Sequence, residues 1–213
     1  AVFAFTGGAT QSTVVDTAFG DALGVRITDA FGNPIVGTLV TFSSPATGAS
    51  AGLSSTTVLT NAAGEASVNA TANTIAGAYG VTASSGSLAS LGFALTNTPG
   101  AAANVIVDGG ASQSTTVDTA FGDALALTVT DSFGNPLSGV SVTLDGPLAG
   151  AAAILGATST TTDAAGKVSV SASANTIAGA YVVTATIGGI AQPTTFSLTN
   201  LRQRRACSPS KMA

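Results

Sequence analysis

Residues Asp21–Phe42 read DALGVRITDAFGNPIVGTLVTF, and this stretch decides the fold. Leu23, Val25 and Ile27 alternate with Ala22, Arg26 and Thr28, the period-two pattern of a half-buried strand. Phe31-Gly32-Asn33-Pro34 then interrupts it. Proline fixes its own φ, and glycine and asparagine tolerate positive φ, so this tetrapeptide predicts a tight turn. A second run over 35–43 follows, with Val36, Leu39 or Val40, and Phe42 expected in the core. The whole stretch recurs at Asp123–Leu144 as DALALTVTDSFGNPLSGVSVTL.

Working outward, the recurrence covers nearly the whole chain. Gly7-Gly8-Ala9 opens GGATQSTVVDTAFGDAL, and Gly109-Gly110-Ala111 opens GGASQSTTVDTAFGDAL, an offset of 102 residues (109 against 7). The offset holds at Tyr79 against Tyr181 and becomes 103 at Leu95-Thr96-Asn97 against Leu198-Thr199-Asn200. A period this long marks a duplicated domain and not a solenoid unit, whose repeat is about 20–50 residues. The expected division is 1–98, 99–200 and a non-repeat tail, 201–213. Short alternating runs separated by turns predict, in the first unit, strands at 1–6, 12–16, 21–29, 35–43, 53–60, 65–72, from Ala78 onward, and 88–96. That spacing of short strands and turns is the signature of a β-sandwich. The linker Thr98-Pro99-Gly100-Ala101-Ala102 is short, which predicts limited bending and two domains set end to end, roughly 40 Å apart at about 3.3 Å per strand residue.

Composition narrows the function. The chain has no histidine and no tryptophan, and only 8% of its residues are charged. Four of the six basic residues (Arg202, Arg204, Arg205, Lys211) lie in the tail, so residues 1–200 carry Arg26 and Lys167 against ten acids, a formal charge of −8. Nucleic-acid binding needs clustered Lys and Arg and is excluded as a function. The longest apolar run, Leu148–Ala157, is half of the ~20 residues that a membrane-spanning helix requires. The chain opens on the strand-like run Ala1–Phe5 without a signal peptide, which suggests a start after processing or inside a longer polypeptide.

Catalysis lacks its components. A triad or an imidazole base needs histidine, and Cys207, the sole cysteine, has no base beside it. The pairs Asp16/Asp21 and Asp118/Asp123 are the remaining candidates for paired-carboxylate chemistry, but an active site copied whole into both domains is not expected. Candidate calcium ligands are Asp16, Asp21, Asp29, Asp108, Asp118, Asp123, Asp131 and Asp163, which sit mostly at strand ends. No D-x-D-x-D-G run is present, and turn capping by the aspartates' own side chains accounts for them better. No catalytic, cofactor-binding or metal residue is therefore assigned. Tyr79 and Tyr181 each follow Ile-Ala-Gly-Ala, and a tyrosine corner is expected, with the hydroxyl bonded back to the crossover backbone. Phe19/Phe121 and Phe31/Phe133 are expected as core or turn plugs, and Phe93/Phe196 in the last strand.

DAFGNPIVGTLVTF (Asp29–Phe42), TNAAGEASV (Thr60–Val68) and TIAGAYGVTAS (Thr74–Ser84), with their second copies, resemble the bacterial Ig-like repeats of invasin and intimin type. The resemblance implies an all-β chain of two tandem Ig-like Greek-key β-sandwich domains. It also implies a non-enzymatic stalk or adhesin module, a rigid spacer outside the cell on a bacterial surface. Its partners would be neighbouring Ig-like repeats or copies of itself, with any host or surface receptor engaged through regions not in this chain. The lectin-like tip domain of such proteins, with its cysteine pair, is not in this sequence. Two other readings stay open: a self-assembling filament subunit packed through the N-terminal strand or the basic tail, and a calcium- or glycan-binding module.

Overall fold

The computed structural model describes residues 1–203; the expected tail beyond Gln203, with Cys207, lies outside the described residues. The chain divides into two compact units, Ala1–Gly100 and the residues from Ala101 onward. All regular structure among the described residues is β-strand.

Unit 1 holds β1 (Val2–Gly7), β2 (Thr10–Val14), β3 (Leu23–Thr28), β4 (Leu39–Ser43), β5 (Ala51–Leu53), β6 (Thr57–Leu59), β7 (Glu65–Val68), β8 (Ala70–Ala72), β9 (Gly77–Ser84) and β10 (Leu91–Thr98). Unit 2 repeats them as β11 (Asn104–Gly109), β12 (Ser112–Thr116), β13 (Leu125–Thr130), β14 (Ser141–Asp145), β15 (Ala153–Leu155), β16 (Ser159–Thr161), β17 (Lys167–Val170), β18 (Ala172–Ala174), β19 (Gly179–Ile187) and β20 (Thr194–Leu201). In each unit a three-stranded sheet (β1-β3-β7; β11-β13-β17) faces a five-stranded one (β2-β10-β9-β4-β6; β12-β20-β19-β14-β16). A two-stranded ladder, β5-β8 or β15-β18, accompanies them.

The opening strand serves both sheets. β1 pairs antiparallel with β3, Val2 opposite Thr28, and β2 then pairs parallel with β10, Thr10 opposite Ala94. The repeated Gly-Gly makes this crossing. Gly8 sits at φ 68° and Gly110 at φ 73°. A Cβ on either would lie 2.6 Å from a backbone oxygen, that of Ala22 or Ala124. Only glycine combines that φ with that approach. Beyond the crossing, the Gln11 amide clamps the chain before β3: Nε2 donates to the Asp21 carbonyl at 2.9 Å, and the Asp21 N–H donates to Oε1 at 2.8 Å. Gln113 repeats the clamp on Asp123.

Each unit has its own apolar core. Leu23, Val25, Ile27, Val40, Phe42, Val81, Phe93 and Leu95 are fully buried in unit 1. Their counterparts in unit 2 are Leu125, Leu127, Val129, Val142, Leu144, Val183, Phe196 and Leu198. Fully burying one such side chain is worth about 1.5–3 kcal/mol, and these strands have little else holding them, since a two-strand ladder alone is marginal in water.

The strand expectations need four corrections. The run 35–43 is a strand only from Leu39, because Gly37 turns the chain at φ 71°. Of its core candidates Val40 and Phe42 are buried, while Val36 and Leu39 stand out in solvent. The runs 53–60 and 65–72 are each two strands, β5 with β6 and β7 with β8, because the chain changes partners between them. Phe31 is 92% exposed and Phe133 47%, so neither is a core plug, whereas Phe19, Phe121, Phe93 and Phe196 are buried.

Candidate functional site

The side chains singled out for chemistry are spent on the backbone. Asp29 Oδ1 accepts the N–H groups of Phe31 (2.8 Å) and Asn33 (2.9 Å), and its Oδ2 accepts Asn33 Nδ2 (2.9 Å). Those bonds, the Asn33 side chain's first, favour the charged carboxylate and hold Asp29 below the ordinary value of 3.8. Asp131 does the same for Phe133 and Asn135, fully buried. Asp163 Oδ1 accepts the N–H groups of Ala165 and Lys167 at 2.8 Å. In unit 1 that place belongs to Asn61, whose Oδ1 takes Ala63 and Glu65. Asparagine and aspartate exchange freely here because the turn needs one acceptor oxygen and no charge.

Asp16 and Asp118 are exposed and hold the left-handed conformation, φ 60° and 61°, at the corner after β2 and β12. Asp21 and Asp123 meet the glutamine clamps through their backbones, and Asp108 accepts the Thr128 hydroxyl. Among the described residues no group of three or more His, Cys, Asp or Glu side chains is set to hold a metal ion.

The tyrosines lead to a buried network that sequence reasoning does not find. The Tyr79 hydroxyl donates to Asn97 Oδ1 at 2.9 Å, not to the crossover backbone as expected. Asn97, 1% exposed on β10, is the relay. Its Nδ2 reaches the Ser50 and Ile75 carbonyls and Asn73 Oδ1, at 2.9–3.1 Å. Asn73 in turn donates to the Gly48 carbonyl at 2.8 Å. Unit 2 repeats the network with Tyr181, Asn200, Asn175 and the carbonyls of Ala152, Ile177 and Gly150. Burial pushes the Tyr79 phenol up to about 12, the Asn97 bond opposing the shift, and Tyr181 moves the same way. The arrangement ties the last strand to two loops and presents no reactive group. Its signal in the sequence is the recurrence of Asn73 as Asn175 and of Asn97 as Asn200.

Two hollows remain. The smaller, of about 380 Å³, lies in unit 1 beside Ala1, walled by Ile27, Ile35, Leu39, Ser85 and Leu88. The other, about 700 Å³ and more polar, lies in unit 2 among Thr116, Thr119, Leu201, Arg202 and Gln203.

Comparison with known proteins accounts for this frame. The family model for the bacterial Ig-like domain (group 1) matches residues 10–94 and again residues 122–199. The chain belongs to this family. As a bacterial Ig-like protein it is non-enzymatic, a structural or binding module. No curated protein matches it by sequence. Among solved structures, Yersinia pseudotuberculosis InvD is similar at 20% identity, over 97% of this chain and 60% of that one, with a TM-score of 0.62. FdeC, an Escherichia coli adhesin, matches at 18% identity over 92% of this chain and 63% of that one (TM-score 0.48). The D0-D1 domain of intimin matches at 19% identity over 94% and 97% (TM-score 0.38). The InvD likeness is one of fold, and this chain spans about three fifths of that structure.

Proposed function

We propose that this tandem bacterial Ig-like pair is a spacer in the stalk of an adhesin-type surface protein, working outside the bacterial cell. The observation that carries the reading is the repetition itself. The two units share the Gly-Gly crossing, the glutamine clamp, the aspartate-capped turn and the asparagine network. Selection on a shape repeated in series leaves that pattern, whereas selection on one active site would mark one unit. Domain boundaries near 98 and 200, and neighbouring Ig-like repeats as partners, belong to the same proposal. A receptor would be met by other regions of such a protein.

The test is a distance distribution. Spin labels at Thr56 and Thr158, equivalent exposed positions in the two units, are introduced as cysteines in a Cys207→Ser background. A spacer gives a single narrow distance by electron double resonance. A broad distribution, like that of a control with Pro99–Ala103 replaced by Gly and Ser, would sink the reading, since a Gly/Ser-rich segment behaves as a flexible coil.

A further inference from the structure

The two units finish their larger sheet differently, and the difference lies in the backbone. β6 is an edge of the unit 1 sheet, and β16 is the matching edge in unit 2. Residues alternate along β16. The Thr158 carbonyl takes the Leu144 N–H, and the Thr162 N–H goes to the Val140 carbonyl. The N–H and C=O groups of Ser159 and Thr161 therefore point away from the sheet. The same parity on β6 turns those of Thr57 and Leu59 outward.

Unit 1 closes its edge with a side chain. The Ser55 hydroxyl accepts the Thr57 N–H at 3.3 Å and donates to the Thr57 carbonyl at 2.8 Å, so both outward groups of that residue are taken. Unit 2 has Ala157 at this place, which has no hydroxyl. Among the described residues nothing bonds the outward backbone groups of Ser159 or Thr161, and both residues are exposed. An open edge is a template for another strand, and proteins usually blunt it with charge, proline or a bulge. Residues 156–162 read GATSTTT, with neither a charge nor a proline, and the β14–β16 register is unbroken.

We propose that β16 pairs with β16 of a second copy, antiparallel, about a two-fold axis at Thr160. The strand fits itself. In that register Ser159 of each copy faces Thr161 of the other, and each such pair exchanges two N–H···O=C bonds, four in all. Thr160 meets its own counterpart in the closer, non-hydrogen-bonded pair, and hydroxyl residues opposite one another are favourable across strands. Charge singles out a copy at this place. Residues 1–200 carry a formal charge of −8, which opposes most approaches of two copies, but here Asp163 of one copy falls opposite Ala157 of the other. Asp145 and Asp163 of the other copy stand two strands apart, roughly 10 Å, a distance that physiological salt screens. The contact is isologous and closes at two copies. It is small against the ~1,000 Å² of a stable interface, so it acts where copies are held close together.

The experiment is amide NMR of the full chain across a dilution series, with two variants that each import the other unit's residue. In the wild type the Ser159 and Thr161 amide signals move with concentration, and those of Thr57 and Leu59 stay. Ala157→Ser gives unit 2 the cap that Ser55 makes, and the association weakens on the order of tenfold or more, because the Ser159 groups of both copies are then taken. Ser55→Ala opens the edge of unit 1, and the Thr57 and Leu59 signals begin to move. Cysteines in a Cys207→Ser background read the register. Thr160→Cys oxidises to a disulfide-linked dimer, since the Cα atoms of such a pair stand about 4.5 Å apart, within disulfide reach. Thr158→Cys does not, because its two copies lie four residues apart along the ladder. Ser159 and Thr161 amides that ignore concentration would overturn the proposal and leave the edge to an extended segment of another protein. An Ala157→Ser chain that associates as before, Thr57 and Leu59 signals that stay still in Ser55→Ala, or equal cross-linking at positions 158 and 160 would each overturn it as well.

Discussion

Unit 1 sets aromatic rings about Phe93, and unit 2 sets aliphatic branches about the matching Phe196. Phe93 meets Phe5 edge-on, ring centres 4.9 Å apart, and lies 6.3 Å from Phe42. In unit 2 the matching Phe196 has Val107 and Leu144 in place of those two rings, while Val168 and Ile187 replace Ala66 and Ser85. Two of the turn devices show no such exchange. Asp29 and Asp131 make the same three bonds, and Gly8 and Gly110 leave the same 2.6 Å for a Cβ. A core needs volume, which several side chains supply in combination. A turn needs one φ and one acceptor at one place, which few residues supply. Ser85, 4% exposed, gives its hydroxyl to the Leu39 carbonyl at 2.7 Å where unit 2 buries Ile187.

The comparison breaks hardest at its centre. Phe93→Ala is expected to cost unit 1 about 3–5 kcal/mol. Phe196→Ala falls at the lower end of that range, because fewer ring contacts are lost. Hydrogen exchange read separately over each unit checks both, and each variant leaves the other unit's protection unchanged. Ile187→Ser removes a buried branched side chain from unit 2, at a cost of about 3 kcal/mol in denaturant unfolding. Asn97→Ala and Asn200→Ala strand a half-buried tyrosine hydroxyl and two loop carbonyls, and each costs about 2 kcal/mol. Equal costs would show that the networks are interchangeable as well as superposable. The reverse exchange, Ser85→Ile, is expected to cost unit 1 about 1 kcal/mol, because it removes the hydroxyl that the Leu39 carbonyl accepts at 2.7 Å. The smallest effects are in pH. The folded state favours the neutral Tyr79 phenol, so its contribution is complete below pH 10 and lost as pH rises through about 12, visible in the ultraviolet absorbance of tyrosinate. Asp29 works the other way. Its contribution is present above pH 3.8 and fades as pH falls through its lower folded value, which a carbon-detected NMR titration of its carboxyl group reads directly.

Much of the fold is legible along the chain, and the misses share a cause. Leu23, Val25 and Ile27 declare their strand because burial follows side-chain alternation. Ala66, Val68, Ala70 and Ala72 also alternate without a break, yet Glu65–Val68 pairs with β3 and Ala70–Ala72 with β5. A change of hydrogen-bond partner leaves no trace in side-chain periodicity, so two strands read as one. Alternation misplaces Val36 because Gly37 resets the phase of the pattern just before β4. Asn97 reads as one more polar residue near a strand end. Its role depends on Ser50, Asn73 and Ile75, which only the fold brings together. Leu148 and Ser85 are visible as mismatches between the repeats, but that Leu148 is exposed and Ser85 buried is a property of the packed unit.

The parallel pairing of β2 with β10 has a mechanical consequence. Thr10 lies opposite Ala94 and Val14 opposite Thr98, so a pull on the incoming and outgoing chain draws the two strands past each other along their length. Five register positions are then loaded in shear at once, where an antiparallel hairpin pulled at its open end would unzip rung by rung. β12 and β20 repeat the geometry from Ser112 opposite Ser197 to Thr116 opposite Leu201. Under tension each unit holds as a clamp until its ladder fails together, so an array of such units lengthens in discrete steps.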